Sequence, residues 1–464
     1  MKSVHAPSDT FVQDLLAIVG PEGLLPEEDV ARRPAGFMRP DTIKARLLVR
    51  PKTADEVAGV LALCNASGRP VVTAGGLTGL VHGADTSPDD VVLSLERMSA
   101  IEEIDPLQRV AVVQAGVTLQ ALQEAAEERG MSFPLDLGAR GSATLGGNAS
   151  TNAGGNRVIR YGMTRALVLG LEVVLADGRI VPMMNRMIKN NAGYDLKHLF
   201  IGAEGTLGVI TRLVLRLSEK PQSQNVALVA VDSFDALTSL LKHMEQALGG
   251  TLSAFEVMWR EFYALVTTPP AASQPPLADG HPYYVLIESL GAEQEHDAAR
   301  FVAALEAASE QGLVADAVIA QSRRECGALW ALRDDVAQVR RYGPRVTFDV
   351  SLPITAMEDY VAEVRKTVAE RWPDHHCWVF GHLGDGNLHV VIRVPDAEAN
   401  RAALERIVYE PLARIDGSIS AEHGIGLEKK PYLHLSRNAE EIALMRTLKQ
   451  ALDPNNILNP GKIL

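Results

Sequence analysis

Two histidines flank a Gly-Asp-Gly-Asn turn in the stretch Val379 to Val390, VFGHLGDGNLHV. His382 ends one apolar run, Cys377 to Phe380, and His389 opens another, Val390 to Val394, a pattern of two strands joined by a tight turn. Such a hairpin would bring both imidazoles to one rim, where two rings can share a metal ion. A third ligand stands further along, in SAEHGIG, where Glu422 and His423 precede glycines that let the backbone pass close to a bulky group. Two neutral imidazoles and one carboxylate suit a catalytic divalent ion with open positions, since closed structural sites use four protein ligands rich in Cys. Cys64, Cys326 and Cys377 are too scattered to compete. The rival reading, that His382 and His389 are ordinary polar turn residues, accounts for neither the shared turn nor the separate Glu-His pair. Asp385 stays outside the ligand set because a turn Asp commonly bonds its own backbone.

The elements that must hold these groups begin with a β-α-β pattern: a strand at Leu47 to Val49, Thr53 as N-cap of a helix through Asn65, and a strand at Pro70 to Thr73. The glycine turn that follows, Thr73 to Ala84, exposes backbone N–H groups that suit a pyrophosphate. It matches neither GxxxxGK[ST] nor GxGxxG, so those two nucleotide templates are rejected. Pro134 to Gly162 is the longest run of small residues, and its Gly, Ala, Ser and Asn content cannot build a conventional core. Backbone wrapped around a large ligand is the expectation there. Gly202, Gly205 and Gly208 mark a third close approach, inside IGAEGTLGVITRLVLRL. Three such stretches in one β-rich region point to a large cofactor.

Beyond Pro221, strands such as Val226 to Val231, Tyr283 to Ser289 and Val346 to Val350 alternate with helices such as Ala298 to Ser309 and Met357 to Arg371, an α+β pattern with an antiparallel sheet. QSRRECGALWALRDDV has helical period and sets Arg324 and Arg333 among small and apolar neighbours. An inward arginine there would bind a carboxylate bidentately; a surface arginine paired with Glu325, Asp334 or Asp335 is the alternative. DPNNILNPGKIL ends the chain with an Asn-Pro-Gly turn that could cap a cofactor pocket.

The balance of 58 acidic against 45 basic residues, a net charge of −13, disfavours nucleic acid as a partner. No apolar run approaches the roughly 20 residues of a membrane helix, and the opening MKSVHAPSDTFVQDLLAIVG is polar where a signal peptide would be apolar. A cytoplasmic location is expected, with peripheral association at the inner face of a membrane left open.

Taken in order, LLVRPKTADEV, TAGGLTG, GSATLGGNASTNAGG, IGAEGTLGVIT, GHLGDGNLH, AEHGIG and DPNNILNPGK resemble the flavin-dependent D-2-hydroxy acid dehydrogenases and oxidases of the vanillyl-alcohol-oxidase superfamily, from about Leu47 to Leu464. The resemblance implies an α+β protein. Residues 1–220 would be a two-subdomain FAD-binding domain (core 45–218), residues 221–417 a substrate or cap domain with an antiparallel sheet, and residues 418–464 a segment returning to the flavin domain. It implies FAD, noncovalently bound although His82 lies near the pyrophosphate loop, held by Ala74, Gly75, Gly76, Leu77, Thr78, Gly79, Pro134, Gly138, Ser142, Gly147, Asn148, Thr151, Ala153, Gly205, Val209 and Asn459. It also implies a divalent metal, zinc first and manganese second, on His382, His389 and Glu422, with His423 as base and Arg333 on the substrate carboxylate. Proton loss from the metal-bound hydroxyl and hydride transfer from C2 to flavin N5 would follow.

Members acting on 2-hydroxyglutarate commonly carry a Lys before the pair matching Phe348-Asp349 and an Asn two residues after the second metal-binding His. This chain has Thr347 and Val391 there, which removes partners for a second carboxylate. D-lactate is therefore expected first, with D-2-hydroxyglutarate and D-malate behind it, and Arg345 as a replacement cation from the same strand face. A metallohydrolase, or a flavin-binding subunit without catalysis, are the competing functions. The electron acceptor (quinone, cytochrome, electron-transfer flavoprotein or oxygen) and a homodimer stay open.

Overall fold

Parallel strands need a crossover, and the first one here is a helix whose start is written in Thr53. In the computed structural model, which describes residues 9–37 and 39–464, Thr53 Oγ1 accepts the Glu56 N–H at 3.2 Å and the helix Ala54–Ala66 follows. The polar character of the first eight residues, read above against a leader, lies outside the described residues. Val57, Val60, Leu61 and Cys64 make the helix's buried face, at the i, i+3, i+4, i+7 spacing of an amphipathic helix.

The chain forms two compact units. The first comprises the residues up to Gly155, Gly162–Lys220 and Glu422–Leu464; the second comprises Asn156–Tyr161 and Pro221–Ala421.

The first unit holds two sheets. One has Val91–Ser94 running parallel between Leu47–Val49 and Val71–Ala74, with Leu24–Leu25 antiparallel at one edge. The C-terminal tail adds to its other edge: Val71 donates to Ile457 and Asn459 donates back to Val71, at 2.7 and 2.8 Å. The other sheet is fully antiparallel, in the order Ile101–Asp105, Val110–Gln114, Val209–Arg216, Val168–Val174, Ile180–Met183.

Part of the small-residue run, expected to wrap a large ligand, folds into regular structure. Leu145–Thr151 is a helix, capped by Thr144 and closed by Asn152 in the left-handed region at φ 51°. Gly and Asn carry little helix signal, and close packing selects the helix instead: a Cβ on Gly146 would stand 2.6 Å from that of Ala115. Similarly, Thr164–Leu167 is a helical turn before the strand Val168–Val174 begins.

The second unit is built on a seven-stranded antiparallel sheet, in the order Asp316–Ile319, Ser223–Val231, Tyr283–Gly291, Leu252–Trp259, His376–His382, Asn387–Arg393, Val346–Ser351. Its register decides the site. Glu256 pairs with His382, His382 with Asn387, and Asn387 with Ser351. The neighbouring row on the same face runs Met258, Phe380, His389, Asp349. Helices Arg260–Thr267 and Arg323–Asp334 cover this face through a core that includes Phe262, Leu329, Leu332, Phe380 and Val391. Phe262 stacks on Phe380 at 4.1 Å between ring centroids, and burying each such ring contributes about 1.5–3 kcal/mol. The short segment Asn156–Tyr161 is anchored to the same unit by Arg157, which donates to both oxygens of buried Glu288 at 2.8 and 3.1 Å.

Among the described residues, no helix is long and apolar enough to cross a membrane.

Candidate active site

The glycine turn after the strand Val71–Ala74 forms one wall of a cavity of about 350 Å³ in the first unit. A side chain is impossible at Gly76, where a Cβ would fall 1.8 Å from the Ser142 carbonyl oxygen, and Gly75 is nearly as tight, at 2.5 Å from Thr144 Oγ1. Backbone therefore lies directly against backbone, and the N–H groups of the turn are left to serve a ligand. Of the sixteen flavin-lining residues the sequence nominates, Ala74, Pro134 and Ser142 do not line this cavity; the others do. Ala74 is buried in its strand, and Ser142 acts through the carbonyl that packs on Gly76.

Three polar atoms on the cavity wall test the fit of a large polar cofactor. Thr73 Oγ1, Asn148 Nδ2 and Asn459 Oδ1 are buried and have no hydrogen-bond partner among the described residues. Buried polar atoms are nearly always satisfied, so a cavity with three orphans is shaped for a ligand that supplies both donors and acceptors. The other end of the Asn459 amide is fixed, Nδ2 donating to the Gly83 and Glu204 carbonyls at 3.1 and 2.8 Å. His82 lines the cavity with its Nδ1 3.0 Å from Asp85.

Glu422 and His423 line the same cavity. Glu422 Oε1 accepts the Gly155 N–H at 2.5 Å. The loop behind them is held by a residue that sequence reasoning missed: Glu204 accepts the N–H groups of Ile425 and Gly426 at 2.7 and 2.9 Å. Burial pushes the Glu204 carboxyl above the usual carboxylate range, opposed by those two N–H groups and by Lys429. Gly426 must be glycine, because at φ 52° its Cβ would stand 2.0 Å from the Val81 carbonyl oxygen.

The histidine pair lies wholly in the second unit. The His382 and His389 ring centroids are 5.4 Å apart at 80° to each other, on one sheet face beside the turn Leu383–Asp385. His382 Nδ1 is 2.7 Å from Glu256 Oε1, and Arg333 Nε donates to Glu256 Oε2, also at 2.7 Å. Burial pushes the Glu256 carboxyl up, but His382 and Arg333 outweigh it and hold it below the usual range. An ionised carboxylate only accepts, so Nδ1 carries a proton and Nε2 is the ring nitrogen turned away from Glu256. Arg333 NH2 lies 3.4 Å from that Nε2, and the guanidinium sits 5.3 Å over the Phe380 ring.

Arg333 is buried, while Arg324 is exposed on the same helix. Its main partner is Glu256 rather than the neighbours weighed from sequence; of those, Asp334 stands 3.8 Å away. Asp349, fully buried, accepts from Asn387 Nδ2 at 2.9 Å and from the Ala421 N–H at 3.1 Å, and lies 3.9 Å from His389 Nδ1. Glu256 and Asp349 were invisible as site residues because only sheet register brings them to this face.

A family model described as FAD binding domain matches residues 45–183, and one described as FAD linked oxidases, C-terminal domain, matches residues 220–463. Among solved structures the fold is similar to p-cresol methylhydroxylase (TM-score 0.79, 18% identity, 98% of this chain and 96% of that one). It is similar also to alkyldihydroxyacetonephosphate synthase (TM-score 0.76, 17% identity, 98% and 85%). The family models and the relatives define an FAD-dependent oxidoreductase. Within that class, the chain belongs to the FAD-linked oxidase family.

Its relatives include a D-2-hydroxyglutarate dehydrogenase of Xanthomonas citri pv. viticola, 44% identical over 89% of this chain and 88% of that protein. A mitochondrial D-2-hydroxyglutarate dehydrogenase of Bos taurus is 41% identical (90% and 77%). A putative mitochondrial D-lactate dehydrogenase of Schizosaccharomyces pombe is 39% identical (98% and 90%).

Proposed function

We propose that this protein oxidises a D-2-hydroxy acid to the 2-oxo acid. One observation carries the reading. A 2-hydroxy acid bears its hydroxyl and its carboxylate on adjacent carbons, so the groups that take each must stand side by side. His382 Nε2 and Arg333 NH2 are 3.4 Å apart on one buried face.

FAD, when bound, supplies the acceptor for the hydride that leaves C2, and a divalent cation supplies positive charge beside the hydroxyl. His382, His389 and Glu422 are the proposed holders of that cation, zinc first and manganese second. The chemistry of the donors fits: His382 has its Nδ1–H fixed by a carboxylate, the arrangement metal-binding imidazoles usually have. Arg333 holds the substrate carboxylate. His423, which lines the cofactor cavity, takes the hydroxyl proton. Loss of one proton to His423 and one hydride to FAD balances the oxidation.

D-lactate is the favoured substrate. Val391 is fully buried among Trp378 and Phe380, and Thr347 is its cross-strand partner. Neither offers a charge to a second carboxylate, whose unpaired burial is costly.

A second reading, D-2-hydroxyglutarate or D-malate, is favoured by Arg345. Its Nε is buried without a hydrogen-bond partner, and both burial and the charge of Arg340 weigh against its positive form, as expected of a cation awaiting an anion. The names of the Xanthomonas and Bos taurus relatives point the same way.

The test is an anaerobic visible spectrum of the FAD- and zinc-loaded protein before and after D-lactate, L-lactate and D-2-hydroxyglutarate in separate samples. Bleaching of the flavin band by D-lactate, absent with L-lactate and lost after chelation, is expected. Bleaching by D-2-hydroxyglutarate alone would transfer the assignment to the second reading. Undiminished bleaching after complete metal removal would eliminate the cation.

A further inference from the structure

Glu256 is buried in the middle of the sheet, with one oxygen on His382 and the other on Arg333. Nothing near it in sequence marks it: it sits in the strand Leu252–Trp259, while its partners come from the strand His376–His382 and the helix Arg323–Asp334. We propose that Glu256 is a positioning residue that sets metal affinity and substrate-carboxylate affinity together. It does so by fixing His382 and Arg333 in register with one another.

Each half follows from donor and acceptor arithmetic. The Oε1 bond keeps a proton on His382 Nδ1, so Nε2, turned away from Glu256, is the nitrogen that would take a cation. The Oε2 bond takes Arg333 Nε and so fixes the plane of the guanidinium, whose NH2 then reaches the neighbourhood of Nε2. Stacking over Phe380 restrains the same plane from one side. An amide could not replace the Glu256 carboxylate. Glutamine has one acceptor oxygen, and its NH2 would face either the Nδ1–H of His382 or the Nε–H of Arg333, donor against donor.

The inference rests on the proposed metal role of His382 and the proposed carboxylate role of Arg333, and its test separates the two levels. The FAD-loaded protein would be prepared as wild type, Glu256→Gln, Glu256→Asp and His382→Ala. Zinc affinity would be measured by competition with a chromophoric chelator, and KM and kcat would be measured with D-lactate. Flavin content and thermal unfolding report folding.

Glu256→Gln is expected to weaken zinc binding by roughly ten- to a hundredfold and to raise KM by a similar factor at wild-type flavin content, and a change in only one of the two would overturn the coupling. Glu256→Asp keeps the charge but withdraws both oxygens by one methylene, so it is expected to weaken both and serves where the Gln variant does not fold. Wild-type zinc affinity and KM in a folded Glu256 variant, with zinc lost in His382→Ala, would overturn the role of Glu256 alone. Wild-type zinc affinity in His382→Ala would overturn the metal reading and this inference with it.

Discussion

Thr347 and Val391 are direct partners across the strands Val346–Ser351 and Asn387–Arg393, one residue pair away from Asp349 and His389 on the same sheet face. In the proposed binding mode, with the hydroxy acid beside His382 and Arg333, a group extending from C2 along that face would meet this pair. Thr347 is exposed and Val391 fully buried, so the pair offers a hydroxyl and no charge.

Installing Thr347→Lys together with Val391→Asn is therefore expected to move preference toward D-2-hydroxyglutarate. A charged hydrogen bond is worth about 1.5–3 kcal/mol, so the ratio of kcat/KM for D-2-hydroxyglutarate over D-lactate should rise roughly ten- to a hundredfold. Steady-state assays with both acids check it. An unchanged ratio in a double variant of normal flavin content would mean that this pair does not face the substrate.

Arg333 pairs with Glu256 and is the proposed holder of the substrate carboxylate, and substitutions separate the two. Arg333→Lys keeps a cation beside Glu256 but loses the planar fork, so it is expected to raise KM for the hydroxy acid roughly tenfold or more while changing stability little. Arg333→Leu leaves Glu256 with one partner, and breaking a buried pair in this way costs about 3–5 kcal/mol. Urea unfolding of the two variants should differ by most of that amount. Equal stabilities would show that the Glu256 charge does not depend on Arg333.

Much of this was legible in the sequence, for identifiable reasons. The β-α-β unit around Thr53 followed from a cap and an amphipathic face, and the histidine hairpin followed from apolar runs about a Gly-rich turn. Helix Leu145–Thr151 was not legible, because Gly, Asn and Ser carry no apolar period and the helix is chosen by its packing on Ala115. Glu256, Glu204 and Asp349 were illegible for a different reason. Each looks like an ordinary strand or loop acid until the fold brings its partner from far along the chain: Arg333 for Glu256, Ile425 for Glu204, Ala421 for Asp349.

The cysteines give a prediction about pH. Burial pushes the Cys64 thiol up to about 12 and the Cys377 thiol up to about 11. A folded value raised above the unfolded one means that the native state favours the protonated thiol. This contribution to stability is complete below the unfolded pKa, near 9, and is lost as pH rises through 11 to 12. At pH 8 the native thiolate fraction of Cys64 is on the order of one in ten thousand. Iodoacetamide at pH 8 should therefore leave Cys64 and Cys377 unmodified in the native protein and alkylate both in denaturant, as read by mass spectrometry. Rapid native alkylation of Cys64 would contradict its burial.

Gly76 provides the sharpest test of the cofactor cavity. A methyl group there would lie 1.8 Å from the Ser142 carbonyl oxygen, and the nearby atoms are backbone that cannot rotate away. Either the glycine turn or the segment before helix Leu145–Thr151 must shift, and both line the cavity. Gly76→Ala should therefore purify with strongly reduced flavin content and require a large excess of free FAD to recover the visible band. Gly327→Ala is the matched control: it lies in the helix Arg323–Asp334 of the second unit, its added methyl meets nothing within 4 Å, and Ala in a helix is favoured over Gly by about 1 kcal/mol. That variant should keep full flavin content and unfold at a slightly higher temperature. Full flavin occupancy in Gly76→Ala, with unaltered FAD affinity, would mean that the glycine turn does not set the shape of the cofactor site.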